Sequence, residues 1–449
     1  MFVHFIAMGG SAMHNLALAL HHKGYHISGS DDEIFEPARS RLAACGLLPE
    51  TEGWDASRIT PLLDAVILGM HAKADNPELL RAKELGVKIY SYPEYLYEQS
   101  KNKKRIVIGG SHGKTTITAM ILHVLQKTGI SCDYLVGAQL EGFEVMVRLT
   151  EEAPMMIFEG DEYLTSPIDP RPKFHLYHPD IALLSGISWD HINVFPTFEN
   201  YIEQFEIFIR QISPGGVLVY CEEDEELRKI CPGLRNDIDL IPYTLPDYRI
   251  REGKTIVIRE GKTYPLQVFG KHNLLNLNGA MLICCQLGIS IPVFLEAIQS
   301  FKGASKRLEL IEKNEQTLIF KDFAHAPSKV MATLLAVREQ YPAMKIIACL
   351  ELHTFSSLNQ VFLSHYNGSL AAADIAMVYY NPHALELKRL PAITPEQIQE
   401  GFGNPLLEVF NDSKKLYERL RKEDATNAVF LMMSSGNYDG LDLKEIIHS

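Results

Sequence analysis

Short apolar runs alternate along the chain with longer stretches of helical periodicity. Residues 1–99 carry VHFIAM, HISGS, AVILGM and VKIYSY, each of strand length. Between them, residues 12–23 and 77–85 space their apolar side chains as an amphipathic helix does. Strands alternating with helices predict parallel βαβ units. The polar, basic stretch EQSKNKK at 98–104 reads as a linker. A second block follows, with strands at RIVIGG, MMIFEG, IALLSG and GVLVY and a helix over 114–128. TIVIREGKTYPLQVF reads as a hairpin, ahead of a helix over 273–287. The third block alternates again: TLIFKDF, a helix over 328–340, KIIACL, a helix over 358–372, IAMVYY, NAVFLMM and a short final helix. The expectation is an α/β protein of three domains, 1–99, 100–302 and 303–449. The first and third are Rossmann-like, and the second is built around a phosphate loop.

Composition narrows the function classes. A hydrophobic share of 46% over 449 residues supplies several cores. The formal charge of −13 makes a poor non-specific binder of nucleic acid or of an anionic membrane. No apolar stretch approaches membrane-spanning length, and the N-terminus lacks the basic region of a secretory signal. Seven cysteines without metal-ligand spacing fit a reducing cytoplasm.

The sharpest chemical signal is RIVIGGSHGKTT. A strand ends, glycines turn the chain and a helix begins at lysine, so backbone N–H groups and the helix dipole face an anion. Lys114 would reach the β- and γ-phosphates, and the Thr115 hydroxyl would hold Mg²⁺. The spacing departs from G-x-x-x-x-G-K-[ST], because Ile108 stands where the first glycine belongs and the glycines are Gly109, Gly110 and Gly113. The bland reading is a glycine-rich turn with an incidental lysine. EGDEYL puts Glu159 and Glu162 just past another strand, where a carboxylate could hold the cation that bridges phosphates. SWDH places His191 beside Asp190, as a ligand or a structural histidine.

Six motifs in order, GGSHGKTT, EGDEY, SWDH, FGKHNLLNLNGA, FKGASKRLEL and KDFAHAP, make the chain resemble the Mur ligases over nearly its whole length. These enzymes add amino acids or peptides to UDP-N-acetylmuramic acid. The resemblance implies an ATP- and Mg²⁺-dependent ligase working through an acyl phosphate. It places ATP on Gly110, Ser111, His112, Gly113, Lys114, Thr115 and Thr116, with Thr115, Glu159 and His191 at the metal. Asn273 and Asn276 would lie near the base with His272 flanking it. Arg307 would contact phosphates, Asp322 would hold the ribose, and His325 would lie near the same cleft. Lys114, Glu159, His191 and Arg307 are the implied catalytic set. In the first domain, AMGGSAMHNL, SGSD and GMHAKADNPEL carry over Gly9, Gly10, Ser11, Asp31 and His71 as the UDP-sugar site. A dinucleotide fold is the alternative there, although Ala7 replaces the first glycine of its fingerprint.

EYLTSPIDPRPKFHLYHPD resembles the recycling branch of the family, whose acceptor is the peptide L-alanyl-γ-D-glutamyl-meso-diaminopimelate. L-alanine addition is the alternative. Departures are Ala326 where a second histidine is usual, CLELHTFSS in place of arginine-bearing wording, and MMSSGNYDG in place of a glycine-rich segment. No lysine follows the metal histidine to be carbamylated, and Glu206 could stand in for it. Rival readings are a phosphotransferase and a non-catalytic nucleotide-sugar sensor. The implied partners are UDP-N-acetylmuramic acid and an amine, with no nucleic acid and no membrane insertion.

Overall fold

The computed structural model describes residues 1–138, 140, 142–143, 145–189, 194–251, 253–304, 307–314 and 316–446. Tertiary contacts gather them into two units.

The first unit runs from the N-terminus to Thr244, apart from the undescribed residues, and includes Gly279–Ile291. It holds two parallel-rich sheets and a small antiparallel pair, Leu164–Ser166 with Asp169–Pro172. In one, four parallel strands lie in the order His26–Ser30, Phe2–Ile6, Ala65–Leu68, Ile89–Ser91. In the other, Asp239–Tyr243, Val217–Cys221, Ile181–Leu184, Lys104–Gly109, Met155–Glu159 and Asp133–Leu135 are parallel, and Val147–Arg148 adds an antiparallel edge. AVIL and IALL are buried at every position, as strands covered on both faces must be. Helices Ser11–His22, Pro77–Leu85 and Lys114–Thr128 lie close to their expected bounds.

The stretch expected to be a linker is mostly something else. A capping box between Ser91 and Glu94 starts helix Tyr92–Ser100, and Lys104 already belongs to the next strand. Only Lys101–Lys103 turns the chain. Its basic character is partly structural, since Lys103 Nζ lies 2.5 Å from Asp133 Oδ2.

The second unit comprises Leu245–Asn278 and the chain from Pro292 onwards. Its main sheet runs Glu309–Lys313, Thr317–Asp322, Ala428–Met433, Lys345–Leu352, Ile375–Tyr380, Glu408–Phe410, with only the first pair antiparallel. The expected hairpin is present as Lys254–Arg259 and Lys262–Pro265, and Tyr248–Arg251 joins it as a third strand. The helix expected over 358–372 is not formed. Asn359 caps a 3₁₀ helix, Gln360–Tyr366, and Gly368 at φ +71° breaks the run into turns. Leu363, Tyr366 and Leu370 are nonetheless buried, so helix-like spacing here serves tighter three-residue turns. The final short helix is likewise 3₁₀, Leu443–Ile446. Among the described residues no helix is long and apolar enough to cross a membrane.

Candidate active site

The strand Lys104–Gly109 delivers the glycine loop to the C-terminal edge of the seven-stranded sheet, where open α/β sheets bind ligands. Gly110 sits at φ +128°, and a Cβ there would fall 2.1 Å from Ser185 Oγ, so only glycine fits. Gly113, at φ +79°, is the N-cap of helix Lys114–Thr128. Ser185 Oγ donates to the carbonyl of His112. Ser111 N donates to Gly186 O at 2.9 Å. The Ser111 hydroxyl meets Tyr201 Oη at 3.0 Å and accepts from Ser188 N at 2.8 Å. Thr116 is buried in the first turn of the helix.

Lys114 folds back over this loop. Its Nζ donates to Gly110 O at 2.6 Å and lies 2.5 Å from Glu162 Oε2. Burial depresses the ammonium's pKa, but Glu162, Asp161 and Glu159 more than offset this and hold it above the ordinary lysine value. Tyr201 Oη donates to the other Glu162 oxygen at 3.2 Å. Thr115 Oγ1 donates to Glu159 Oε1 at 2.6 Å, and Gly137 N donates to Oε2 at 2.6 Å. Burial raises the Glu159 carboxyl above its usual range despite these bonds. A half-buried carboxylate beside a threonine hydroxyl is a hard-oxygen donor pair of the kind Mg²⁺ takes. His191 and Asp190 lie outside the described residues, and no cluster of three or more potential metal-ligating His, Cys, Asp or Glu occurs among the described ones. Glu206, considered above as a carboxylate near the metal, is paired along its own helix with Arg210 at 3.8 Å.

At the edge of the four-stranded sheet, Gly9 N donates to Asp31 Oδ2 at 2.7 Å and Asp32 N to Oδ1 at 2.9 Å. Burial raises the Asp31 carboxyl, against the lowering effect of those bonds and of nearby His71. Gly10 caps helix Ser11–His22. The five first-domain candidates therefore converge on one helix start. Ala7, in the place of the fingerprint's first glycine, takes φ +67°.

The second unit gathers its own set. Asp322 ends its strand and accepts from Leu308 N at 2.6 Å, Ala324 N at 2.7 Å and Thr333 Oγ1 at 3.3 Å. Burial lowers the pKa of His272, while Asp322 opposes that and Arg307 adds to it, so all three lie within electrostatic reach. The Arg307 guanidinium lies 4.9 Å from the Phe323 ring centroid. Asn273 is buried and donates to Phe269 O at 2.9 Å, and Asn276 is buried one turn on. His325 Nδ1 lies 2.9 Å from Phe323 O. Ala326, in the place of a usual histidine, is the N-cap of helix Pro327–Gln340 and contributes no side-chain cap.

A cavity of about 300 Å³ adjoins the phosphate loop within the first unit. Glu159 belongs to its wall, together with Ser11, Asn15, Tyr92 and Lys173. Of these, Tyr92, Lys173 and Asn15 were not expected from the sequence, nor was Tyr201 at the loop. No local motif marks them, because they arrive on separate elements.

Residues 2–104 match the profile described as Mur ligase family, catalytic domain, and residues 108–284 match the Mur ligase middle domain. The UDP-N-acetylmuramate–L-alanine ligase of Limosilactobacillus reuteri is 31% identical over 84% of this chain and 84% of its own. The chain belongs to the Mur ligase family. As a Mur ligase it is an ATP-dependent enzyme that forms carbon–nitrogen bonds in peptidoglycan synthesis, which removes the phosphotransferase reading. Solved Mur ligases share the fold. The UDP-N-acetylmuramate–alanine ligase of Thermotoga maritima superposes with a TM-score of 0.70 at 21% identity, covering 98% of this chain and 97% of that one. The UDP-N-acetylmuramate:L-alanyl-γ-D-glutamyl-meso-diaminopimelate ligase from Neisseria meningitides gives 0.60 at 26% identity, over 67% of this Mur ligase and 98% of that chain.

Proposed function

We propose that this Mur ligase phosphorylates the lactyl carboxylate of UDP-N-acetylmuramic acid with ATP and passes the acyl group to the amine of L-alanine. The observation that carries the reading is Glu159. The same side chain accepts from Thr115 of the phosphate loop and lines the cavity that reaches Ser11. A carboxylate seated in that cavity lies beside the loop that would present the γ-phosphate.

In this reading Lys114 leaves Glu162 for the phosphate oxygens and neutralises charge on the group in transfer. Thr115 and Glu159 would hold Mg²⁺, which supplies further charge neutralisation when bound. Gly9, Gly10, Ser11, Asp31 and His71 would receive the uridine diphosphate. Asn273, Asn276, His272, Asp322, His325 and Arg307 would serve the adenosine and phosphate side. The lactyl oxygen bonds to phosphorus and ADP leaves. The amine then attacks the acyl carbon, loses a proton, and phosphate departs to leave an amide.

Relatives named as L-alanine ligases, at 28–31% identity, support free L-alanine as the amine. The second reading is the peptide L-alanyl-γ-D-glutamyl-meso-diaminopimelate, supported by the likeness to the Neisseria enzyme and by EYLTSPIDPRPKFHLYHPD. Both make the same lactyl–alanyl amide, and both place the chain in the cytoplasm. The test is phosphate release from Mg-ATP with UDP-N-acetylmuramic acid and each amine in turn, the product being weighed by mass spectrometry. Stimulation by L-alanine is the expected result. Stimulation by the peptide alone moves the assignment to the second reading. ATP binding without turnover with either amine overturns both and favours a sensor.

A further inference from the structure

Two side chains of the cavity take no part in the phosphate loop. Tyr92 stands at the first position of helix Tyr92–Ser100 and is 6% exposed. Among the described residues its hydroxyl has no hydrogen-bond partner. Buried polar groups are nearly always paired, and Tyr92 belongs to the cavity lining, so its orphan hydroxyl points to a partner that arrives with a ligand. Lys173 opens the short 3₁₀ helix Lys173–Leu176. Its Nζ lies 2.7 Å from Asp161 Oδ2, with side chains 21% and 41% exposed. A wet ion pair of this kind is weak and readily exchanged. Asn15, by contrast, is committed: its amide donates to Ser11 O at 2.8 Å and accepts from Arg41 at 3.3 Å.

Charge decides what fits. Glu159 and Asp161 both line this cavity, so an arriving carboxylate meets two like charges. Among the described lining residues Lys173 is the only cation. The volume is at the small end of ligand pockets, which span roughly 300–1,000 Å³. That suits one sugar ring with an acid arm rather than a whole nucleotide.

We propose that Tyr92 and Lys173 contact the acid-bearing sugar of the first substrate, Tyr92 Oη donating to a sugar oxygen and Lys173 moving from Asp161 to the sugar's carboxylate. The inference rests on the reading of this cavity given under Proposed function, and it adds two residues that select for a negatively charged sugar.

The test uses the full chain with Tyr92→Phe, Lys173→Met and Lys173→Arg. KM for UDP-N-acetylmuramic acid is measured at saturating ATP and amine, and KM for ATP separately. Thermal unfolding is followed with and without the sugar nucleotide. Tyr92→Phe is expected to raise the sugar-nucleotide KM about three- to tenfold, the loss of one neutral hydrogen bond, and to leave the KM for ATP unchanged. Unliganded, it should unfold at the same temperature as the wild type or a higher one, because it sheds an unpaired hydroxyl. Lys173→Met should cost more than about tenfold in the same KM, and Lys173→Arg should recover part of it. Wild-type sugar-nucleotide KM in both Tyr92→Phe and Lys173→Met overturns this inference alone. So does a lowered unfolding temperature in Tyr92→Phe with every KM raised alike, which marks a structural hydroxyl. Wild-type protein that neither binds nor turns over the sugar nucleotide overturns the proposed function, and this inference with it.

Discussion

Lys114, proposed above to meet the phosphate in transfer, also carries stability. Its partner Glu162 has a side chain only 2% exposed, so truncating the lysine strands a buried carboxylate. Lys114→Met is expected to lose about 3 kcal/mol, the low end for breaking a buried pair, since the lysine keeps some contact with water. Adding Glu162→Gln should restore most of that loss in urea unfolding. ATP turnover should stay down by more than about 100-fold in both variants. A single variant as stable as the wild type would remove the structural half of this account. Glu159 gives a pH signature. Its folded pKa lies above the usual 4.5, so between those two values the folded state holds more protons than the unfolded chain. Stability should therefore fall as pH rises through that window, and Glu159→Gln should flatten the slope in thermal melts. At this scale the sequence was legible where chemistry is consecutive. GKTT and EGDE each name their residues by spacing along one loop. The Ser111–Tyr201–Glu162 bonds were not legible, since Tyr201 reaches the loop only through the folding of helix Phe198–Arg210.

Elements were readable wherever burial is two-sided or a cap is spelled out. AVIL, IALL and IAMVYY announce strands by composition, and Asn76-Pro77 announces a helix start that the Asn76 side chain caps. The run at 358–372 misled because 3₁₀ turns also bury residues three or four apart. One buried network ties elements together in a way no pattern reveals. His4 Nε2 lies 3.2 Å from Glu78 Oε2, Ser30 donates to that same oxygen, and Asp55 N donates to Oε1 at 2.9 Å. Burial acts to raise the Glu78 carboxyl, but these bonds outweigh it and hold it below its usual value. This stability is present above about pH 4.5 and is lost as pH falls through the depressed folded value. Glu78→Ala is expected to cost about 3–5 kcal/mol. Glu78→Gln, which keeps one carbonyl oxygen to accept from Asp55 N and can turn its amide N–H toward the Ser30 hydroxyl, should cost less than Glu78→Ala in urea unfolding. At the phosphate loop, Gly110→Ala drives a Cβ into Ser185 and should lower the melting temperature while abolishing saturable ATP binding in calorimetry.

For the whole molecule, three sheets were expected and three parallel-rich sheets are present, yet contact density yields two units. Patterns along a chain mark where a sheet starts and ends, but carry no signal for how densely one sheet is joined to the next. The first unit contains both the Gly9–Asp31 loop and the Lys114–Glu159 loop. Calorimetric unfolding should therefore depart from a single two-state transition. UDP-N-acetylmuramic acid alone should raise the transition of the first unit and leave the other in place. A single transition that moves as one with the sugar nucleotide would count against separable units.

The boundary between these units is crossed after Thr244, inside helix Lys271–Gln286, and again after Ile291. One unit is thus threaded through the other's sequence, and neither is a continuous stretch of gene. A recombination event or an engineered fusion that exchanged the C-terminal portion at a single point would leave Leu245–Asn278 behind. Exchange of the whole second unit between relatives would then have to proceed by paired crossovers that respect both segments.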